Sequence, residues 1–171
     1  MAKPRSGEIR HFHSKVVGVS HKNDDGSSRQ SHIKKCSLFE SLLLDHEEDN
    51  AHDPNAVRVL RSNGRQLGYL DARLAEEIVK KSAKGYRFAT LIKSITGGEG
   101  EKTLHGVNLL IVQASPGTSD GAVKNYLKGL MKEDPELSSM KLKRGCLGSA
   151  LLALLALFSI GWLVTRQIIG G

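Results

Sequence analysis

The sequence predicts a mainly β fold of the α+β class, in which about six short strands form a small curled sheet or partly open barrel with one main helix. Residues 86–95 and 103–112 alternate between apolar and polar side chains, with the period of two that strands require. The tight turn Asn63-Gly64 lies between two further short runs, which is typical of a β-hairpin. Residues 71–82 have the apolar spacing of an amphipathic helix.

The strands are expected to follow one another at short intervals. The first comes after a basic and polar N-terminal stretch, residues 1–13, which we expect to be flexible. A polar loop over residues 20–31 and a short turn over residues 33–36 separate it from the second. Residues 97–100 are expected to form a glycine-rich turn and not a phosphate loop, because they do not open a helix. The predicted strands are residues 15–19, 38–46, 57–60, 66–69, 86–95 and 103–112.

The main helix is expected to begin after Asp71, whose side chain can cap the first backbone N–H groups. Leu74 and Ile78 share its apolar face, and Gly85 is expected to end it. The predicted domain covers residues 14–115. It is followed by a connector, residues 116–144, with a helix over residues 120–132 that Asp120 can cap.

The net charge of +7 is unevenly distributed. Residues 14–115 contain 15 Lys and Arg against 13 Asp and Glu, whereas residues 137–171 contain four basic residues and no acidic one. The basic pI is therefore weak support for nucleic-acid binding. The two cysteines, Cys36 and Cys146, have no CxxC or Cys-His spacing, so we expect packing roles rather than a disulfide framework or a zinc finger.

Residues 146–164 form an uncharged run of 19 residues. As a helix this run is about 28 Å long, close to the roughly 30 Å hydrocarbon core of a bilayer. It is apolar on all sides, which excludes an amphipathic helix lying on the membrane surface. We therefore expect a transmembrane helix over residues 145–166 with a short tail, residues 167–171. Its representative residues are Cys146, Leu151, Leu155, Phe158, Trp162 and Val164.

The flanks of this span predict its orientation. Lys141, Lys143 and Arg144 precede it and only Arg166 follows, so the positive-inside rule places the domain in the cytoplasm. The expected protein is tail-anchored and single-pass. Small residues spaced four apart in the span also leave open a homodimer through it.

Residues 49–59 are the most informative stretch of the chain. They place two Asn, one His and two Asp around one Pro, and they lead directly into a strand, which predicts a polar turn on the rim of a sheet. Two interpretations stay open for Asn50 and Asp53: they bond the neighbouring backbone to hold the turn, or they face a ligand. Asn55 is expected only to hold the turn.

Several short motifs follow one another in an order typical of one family. They are residues 16–19, 25–30, 42–47, 50–59 and 64–70, a helix with Leu74, Ala75 and Ile78, and residues 106–112. In this order they resemble the HIRAN domain, over about residues 14 to 114. The resemblance implies an OB-like barrel. The Arg29-Gln30 pair is similar to short bacterial members, and we expect the span to lie in a bacterial inner membrane.

HIRAN domains of the helicase-like transcription factor type bind the 3′ end of single-stranded DNA through an Asn-x-x-Asp loop, with an aromatic residue stacked on the base. The resemblance therefore implies that Asn50, His52 and Asp53 contact a terminal nucleotide, with Asp53 accepting from its 3′-hydroxyl. The family's Arg and Tyr after the first strand are Ser20 and His21 here, and His52 replaces the loop aromatic, so the stacking platform is reduced. The nucleic-acid-binding candidates are Asn50, His52, Asp53, Asn55, His21, Arg29, Lys34, Lys35 and Arg58.

The expected function is a membrane-tethered, non-enzymatic module for DNA ends. A nuclease or helicase partner would be a separate protein, because the chain has no Walker motif. One alternative is a membrane-anchored protein-interaction adaptor, which the nearly neutral domain favours. The other is a metal-dependent hydrolase of phosphoesters or anhydrides, with zinc or another divalent ion bound by His46, His52 and Asp53.

Overall fold

The computed structural model describes residues 7–100 and 102–133 of the 171-residue chain, and within them the chain forms six strands and three helices. The mainly β prediction is confirmed. In chain order the elements are β1 (Ile9–Lys15), α1 (Arg29–Ile33), β2 (Ser41–His46), β3 (Val57–Arg61), β4 (Gln66–Tyr69), α2 (Ala72–Ser82), β5 (Arg87–Glu99), β6 (Lys102–Ala114) and α3 (Asp120–Glu133).

All six strands belong to one antiparallel sheet, in the order β1-β6-β5-β2-β3-β4. The sheet curls until its two edges meet. Immediately after β1, the backbone N–H of Val17 donates to the Tyr69 carbonyl at 2.9 Å, and the N–H of Tyr69 donates back to Val17 at 3.1 Å. This single bridge between the chain after β1 and strand β4 gives the partly open, OB-like barrel that the resemblance implies.

Strand β6 shows how the two faces of the sheet are used. Val107, Leu109 and Ile111 point into the barrel core, which helix α2 joins through Ala75 and Ile78. Leu110, Val112 and Ala114 of β6 belong to a second cluster on the outer face, which α3 covers with Val123 and Leu127. Because successive side chains of a strand point to opposite faces, a strand buried on both faces reads as a continuous apolar run.

The β3–β4 hairpin and helix α2 lie where the sequence predicts them. Asp71 is the N-cap of α2, and its side chain accepts from the backbone N–H of Arg73 at 3.2 Å. The helix over residues 120–132 is also confirmed as α3. However, α3 packs on the sheet and is not a bare connector, since Val123 and Leu127 are almost fully buried.

The predicted position of the first strand is wrong. β1 runs over Ile9–Lys15, so residues 9–13, expected to be flexible, are paired with β6. Of the predicted strand 15–19, only Lys15 belongs to β1, and Val17 makes the bridge to Tyr69. The error arises because residues 9–15 are mostly Arg, His, Ser and Lys, which hide the alternation of an edge strand.

The region before β2 also differs from the prediction. Helix α1 replaces part of a predicted loop and turn, with Ser28 as its N-cap. The strand predicted over residues 38–46 begins only at Ser41. Phe39 has a φ of +60°, a left-handed conformation that a strand cannot contain, and its N–H donates to the Ile92 carbonyl at 2.8 Å.

No helix in residues 7–100 or 102–133 is long and apolar enough to cross a membrane. The predicted span, residues 145–166 including Cys146, Leu151, Leu155, Phe158, Trp162 and Val164, lies outside the described residues, as do residues 1–6 and the connector beyond Glu133.

Candidate functional site

The loop between β2 and β3 is ordered by its own side chains. The Asn50 Oδ1 accepts from the backbone N–H of His52 at 3.0 Å and of Asp53 at 3.1 Å. The Asp53 Oδ1 accepts from the N–H of Asn55 at 2.8 Å. Asn50 and Asp53 therefore hold this turn, which confirms one of the two interpretations left open for them. Asn55 contributes its backbone N–H to that bond.

The hydrogen bonds that hold the turn leave some polar groups of the loop without a partner among the described residues. Asp53 is half-buried, and its second carboxylate oxygen receives no hydrogen bond from the described residues. The His52 side chain is exposed at the tip. A rigid backbone thus presents one carboxylate oxygen and one imidazole.

Glu47, at the end of β2, ties this loop to the sheet. The Asn50 Nδ2 donates to its Oε2 at 2.6 Å, and the Tyr69 hydroxyl donates to the same oxygen at 3.0 Å. Burial alone would raise the pKa of Glu47. The bonds from Asn50 and Tyr69, with the nearby charges of Arg58 and Arg29, outweigh that effect and hold the pKa below its ordinary value.

Arg58, a predicted phosphate contact, is held by the same network. Its Nε donates to the Asp45 Oδ2 at 2.9 Å, and its Nη1 donates to the Glu47 Oε1 at 3.2 Å. Burial lowers the pKa of Arg58, but Asp45 and Glu47 outweigh that and raise it above its ordinary value. The guanidinium is therefore fully committed to two carboxylates of its own chain.

Arg29, at the start of α1, lies against the Tyr69 ring. Only 6% of it is exposed. Its Nε donates to the Asn23 Oδ1 at 2.7 Å, its Nη1 donates to the Gly18 carbonyl at 3.0 Å, and its guanidinium carbon lies 5.1 Å from the centre of the Tyr69 ring. Arg29 thus connects the loop that follows β1 to strand β4.

Gln30 holds the same loop from the neighbouring position. Its Nε2 donates to the carbonyls of Val19, at 3.0 Å, and His105, at 2.9 Å, and its Oε1 accepts from the His105 N–H at 2.8 Å. The Arg29-Gln30 pair therefore fixes the carbonyls of two successive loop residues, Gly18 and Val19.

These contacts form one continuous chain across the rim of the barrel. It runs from Gly18 through Arg29, Tyr69 and Glu47 to Asn50. The exposed His21 belongs to the loop at one end, because its N–H donates to the Gly18 carbonyl at 3.2 Å. The structure thus links two groups of predicted site residues that are about thirty positions apart.

Lys34 and Lys35 are not part of this chain of contacts; both are exposed at the end of α1. Sequence reasoning missed Glu47, Tyr69 and Asn23 as site residues. A signal existed for Tyr69, since the Gly68-Tyr69 pair ends the hairpin strand that faces the loop, whereas nothing local distinguishes Asn23.

Two shallow grooves flank this rim. One, of about 270 Å³, lies between the loop over residues 23–27 and the β3–β4 hairpin, with Arg58 and Arg65 in its wall beside Asp24 and Asp25. The other, of about 520 Å³, lies between Val19 and the outer part of the β5–β6 hairpin. Both are open to solvent.

The predicted metal ligands do not come together. The His46 Nε2 bonds the Pro54 carbonyl at 2.8 Å, and its Nδ1 lies 3.7 Å from the Glu48 carboxylate. Within residues 7–100 and 102–133, no group of three or more His, Cys, Asp or Glu has the arrangement of a metal site. Cys36 is half-buried, and burial raises the pKa of its thiol to about 11, in keeping with a packing role.

A family model described as the HIRAN domain matches residues 9–103, more than half of the chain. The chain belongs to the HIRAN domain family. The match begins with the first residue of β1 and ends within β6, so helix α3 lies beyond it.

Two solved structures are similar to this HIRAN chain. One is the HIRAN domain of human HLTF, with 19% identity, a TM-score of 0.47, and coverage of 70% of this chain and 87% of that one. The other is a protein from Lactobacillus plantarum, with 17% identity, a TM-score of 0.48, and coverage of 62% of this chain and 97% of that one. No curated protein sequence matches the chain.

Proposed function

We propose that this HIRAN protein is a non-enzymatic nucleic-acid-binding module that recognises the 3′ ends of single-stranded DNA and is tethered to the inner face of a membrane by residues 145–166. Family membership supports nucleic-acid binding. The rim of the barrel supports end recognition, and the uncharged run near the C-terminus supports the tether.

The pre-ordered loop from Glu47 to Ala56 is the observation that carries the proposal. Its backbone is fixed by Asn50 and Asp53 before any ligand arrives, so binding needs little further ordering of the chain. The remaining oxygen of Asp53 is a hydrogen-bond acceptor beside an exposed imidazole. A carboxylate that accepts from a 3′-hydroxyl distinguishes a chain end from a continued strand or a terminal phosphate, which it repels.

Fluorescence anisotropy of the full-length protein in detergent tests this idea, with labelled oligothymidylate bearing either a 3′-hydroxyl or a 3′-phosphate. We expect the hydroxyl end to bind about tenfold more tightly, the effect of one charge-assisted hydrogen bond. Asp53→Asn should reduce this preference, because its amide can still accept from Asn55 but has lost the charge. Asp49→Asn, on the exposed part of the same loop, is the matched control.

Equal, weak and fully salt-sensitive binding of both oligonucleotides would contradict end recognition. The tether is tested separately, by extraction of membranes with alkaline carbonate. We expect the full-length chain to stay in the membrane pellet and a chain ending at residue 144 to be released.

A membrane-anchored protein-interaction adaptor is the second candidate. The observation that favours it is the charge of the rim: Asp45, Glu47, Glu48, Asp49 and Asp53 are acidic, and the one arginine among them, Arg58, is already paired. An acidic surface repels phosphates and suits a basic protein partner. Purification from detergent that retains one stoichiometric protein and no nucleic acid would favour this function.

A further inference from the structure

Arg29 differs in its electrostatic surroundings from the other arginines that the structure describes. Most of them lie within 4 Å of a carboxylate oxygen, and Arg73 is exposed to water. Arg29 is buried, yet no carboxylate oxygen of residues 7–100 or 102–133 lies within that distance of it. The arginines with such a partner are Arg10, Arg58, Arg61, Arg65 and Arg87.

The direct contacts of Arg29 are neutral, although its charge also acts on Glu47 at longer range and helps to lower the pKa of that carboxyl. These contacts are the Asn23 amide oxygen, the Gly18 carbonyl and the face of the Tyr69 ring. A guanidinium carries N–H donors on all three nitrogens, and these bonds use Nε and one donor of Nη1. Nη2 has no acceptor among the described residues. A buried cation in this state is stabilised further by any anion that can reach it.

The absence of a side chain at Gly18 lets this guanidinium lie close to the backbone. A Cβ added at Gly18 would lie 3.0 Å from the Arg29 Nη1 and 3.6 Å from the His21 Cδ2. Gly18 also has a φ of +69°, which favours glycine. The missing side chain therefore lets a buried cation and an exposed imidazole both lie beside the Gly18 backbone, and we call these three residues the cradle.

The cradle is rigid without a ligand. Asn23, which holds the Arg29 Nε, is itself fixed by its Nδ2 donating to the Ser27 Oγ at 3.1 Å and to the Gln66 carbonyl at 3.2 Å. Gln30 fixes the adjacent Val19. Such preorganisation of a planar cation is what recognition of a phosphate group requires.

We propose that the cradle formed by Gly18, His21 and Arg29 binds a phosphate group of the nucleic-acid backbone. This inference rests on the proposed function, and it adds to end recognition a subsite that recognises the strand by charge alone. The contact chain through Tyr69 and Glu47 joins this subsite to the Asn50–Asp53 turn. Arg29 would then contribute affinity to every single strand, and Asp53 would contribute the preference for a free 3′ end.

The test compares full-length Arg29→Gln with wild type, using the 3′-hydroxyl and 3′-phosphate oligonucleotides over a series of salt concentrations. We expect Arg29→Gln to lower affinity about tenfold for both oligonucleotides alike, and to reduce the slope of log K against log salt by about 0.7, the value for one phosphate of a single strand. Arg73→Gln removes an exposed charge of the same kind and should change affinity less than twofold. An unchanged salt slope in a folded Arg29→Gln protein would overturn the proposal.

A measurement on the wild-type chain covers the case in which Arg29→Gln does not fold. The ¹⁵N resonance of the Arg29 Nε should shift on addition of inorganic phosphate, relative to chloride at equal ionic strength, and His21→Ala should weaken that response. No shift would contradict a phosphate site. A change of salt slope without any end preference would retain the cradle and reject 3′-end recognition, so the two failures are distinguishable.

Phosphates of lipid headgroups have the same chemistry as those of DNA. The Arg29 Nε resonance is therefore also compared between full-length protein in nanodiscs of phosphatidylglycerol and of phosphatidylcholine. We expect no difference before oligonucleotide is added. A shift in phosphatidylglycerol alone would assign the cradle to the membrane surface and overturn the nucleic-acid proposal.

Discussion

Arg29 and Arg58 both lie next to Tyr69, but their electrostatic surroundings differ. Arg58 donates to two carboxylates of its own chain, Asp45 and Glu47, and forms the centre of an acidic loop. Arg29 is more deeply buried and is held only by an amide, a carbonyl and an aromatic ring. One cation is therefore neutralised within the fold, whereas the other retains the capacity to attract an anion.

The difference shows why a count of basic residues says little about a binding surface. In the sequence, each of the two arginines lies next to a short polar stretch, and each is a reasonable candidate for a phosphate contact. What separates them is the register of β2 against β3, which places Asp45 directly opposite Arg58. No equivalent pairing reaches Arg29, which is on a helix.

The largest expected effect on stability is that of Arg58→Gln. Removing the guanidinium leaves Asp45 and Glu47 close together without a cation, and we expect the free energy of unfolding to fall by about 1.5–3 kcal/mol. DNA affinity should change little, because Arg58 is already satisfied. Urea titration and anisotropy of the same full-length protein give both quantities.

The matched variant is Arg29→Gln, for which we expect the opposite result. Its DNA affinity should fall clearly, and the protein should stay folded. If Arg58→Gln lost affinity as strongly as Arg29→Gln, the assignment of one arginine to the fold and the other to the ligand would be wrong.

Much of the fold could be predicted because its signals are local. The Asn63-Gly64 turn and the Asp71 cap each specify one conformation over a few residues. Strand β1 could not be predicted, because its stability comes from pairing with β6 about a hundred positions away and not from its own side chains. Phe39 is a similar case, since a long-range bond to Ile92 holds its left-handed backbone.

The candidate site was predictable only in part, for the same reason. The residue types of the Asn50–Asp53 turn predict a polar turn, and the structure contains it. The sequence cannot say that Arg58 is taken by Asp45 and Glu47 or that Arg29 has no carboxylate partner, because both facts depend on contacts between elements. The predicted metal site fails for the same reason. His46 bonds the Pro54 carbonyl, and the spacing of residues in the sequence does not show that contact.

A smaller effect is expected for Glu47→Gln, which removes a carboxylate partner of Arg58. The amide keeps the shape but loses the charge that holds Asn50, Tyr69 and Arg58, so we expect a loss of about 1–2 kcal/mol and a weaker preference for 3′-hydroxyl ends. The pKa of Glu47 is lowered on folding, so its contribution is complete above its unfolded pKa and is lost as the pH falls through the folded value. Urea titrations of wild type and Glu47→Gln should therefore converge in acid. A constant difference down to the lowest pH would contradict this role for its charge.

The smallest effect concerns the surroundings of Arg29, where His32 supports the cradle through Ser27 and Asn23. The His32 Nε2 bonds the Ser27 Oγ at 3.0 Å, and Ser27 in turn holds Asn23, the partner of Arg29. Burial lowers the pKa of His32 below its ordinary value of 6.5, so the unfolded chain takes up a proton first as the pH falls. Stability should therefore decline as the pH drops below about 6.5, where Glu47 is still ionised. Thermal melting of His32→Gln should lack this decline, whereas His52→Gln at the exposed loop tip should keep it, since His32 is intact. If both variants kept it, His32 would not be the source of the decline in mild acid.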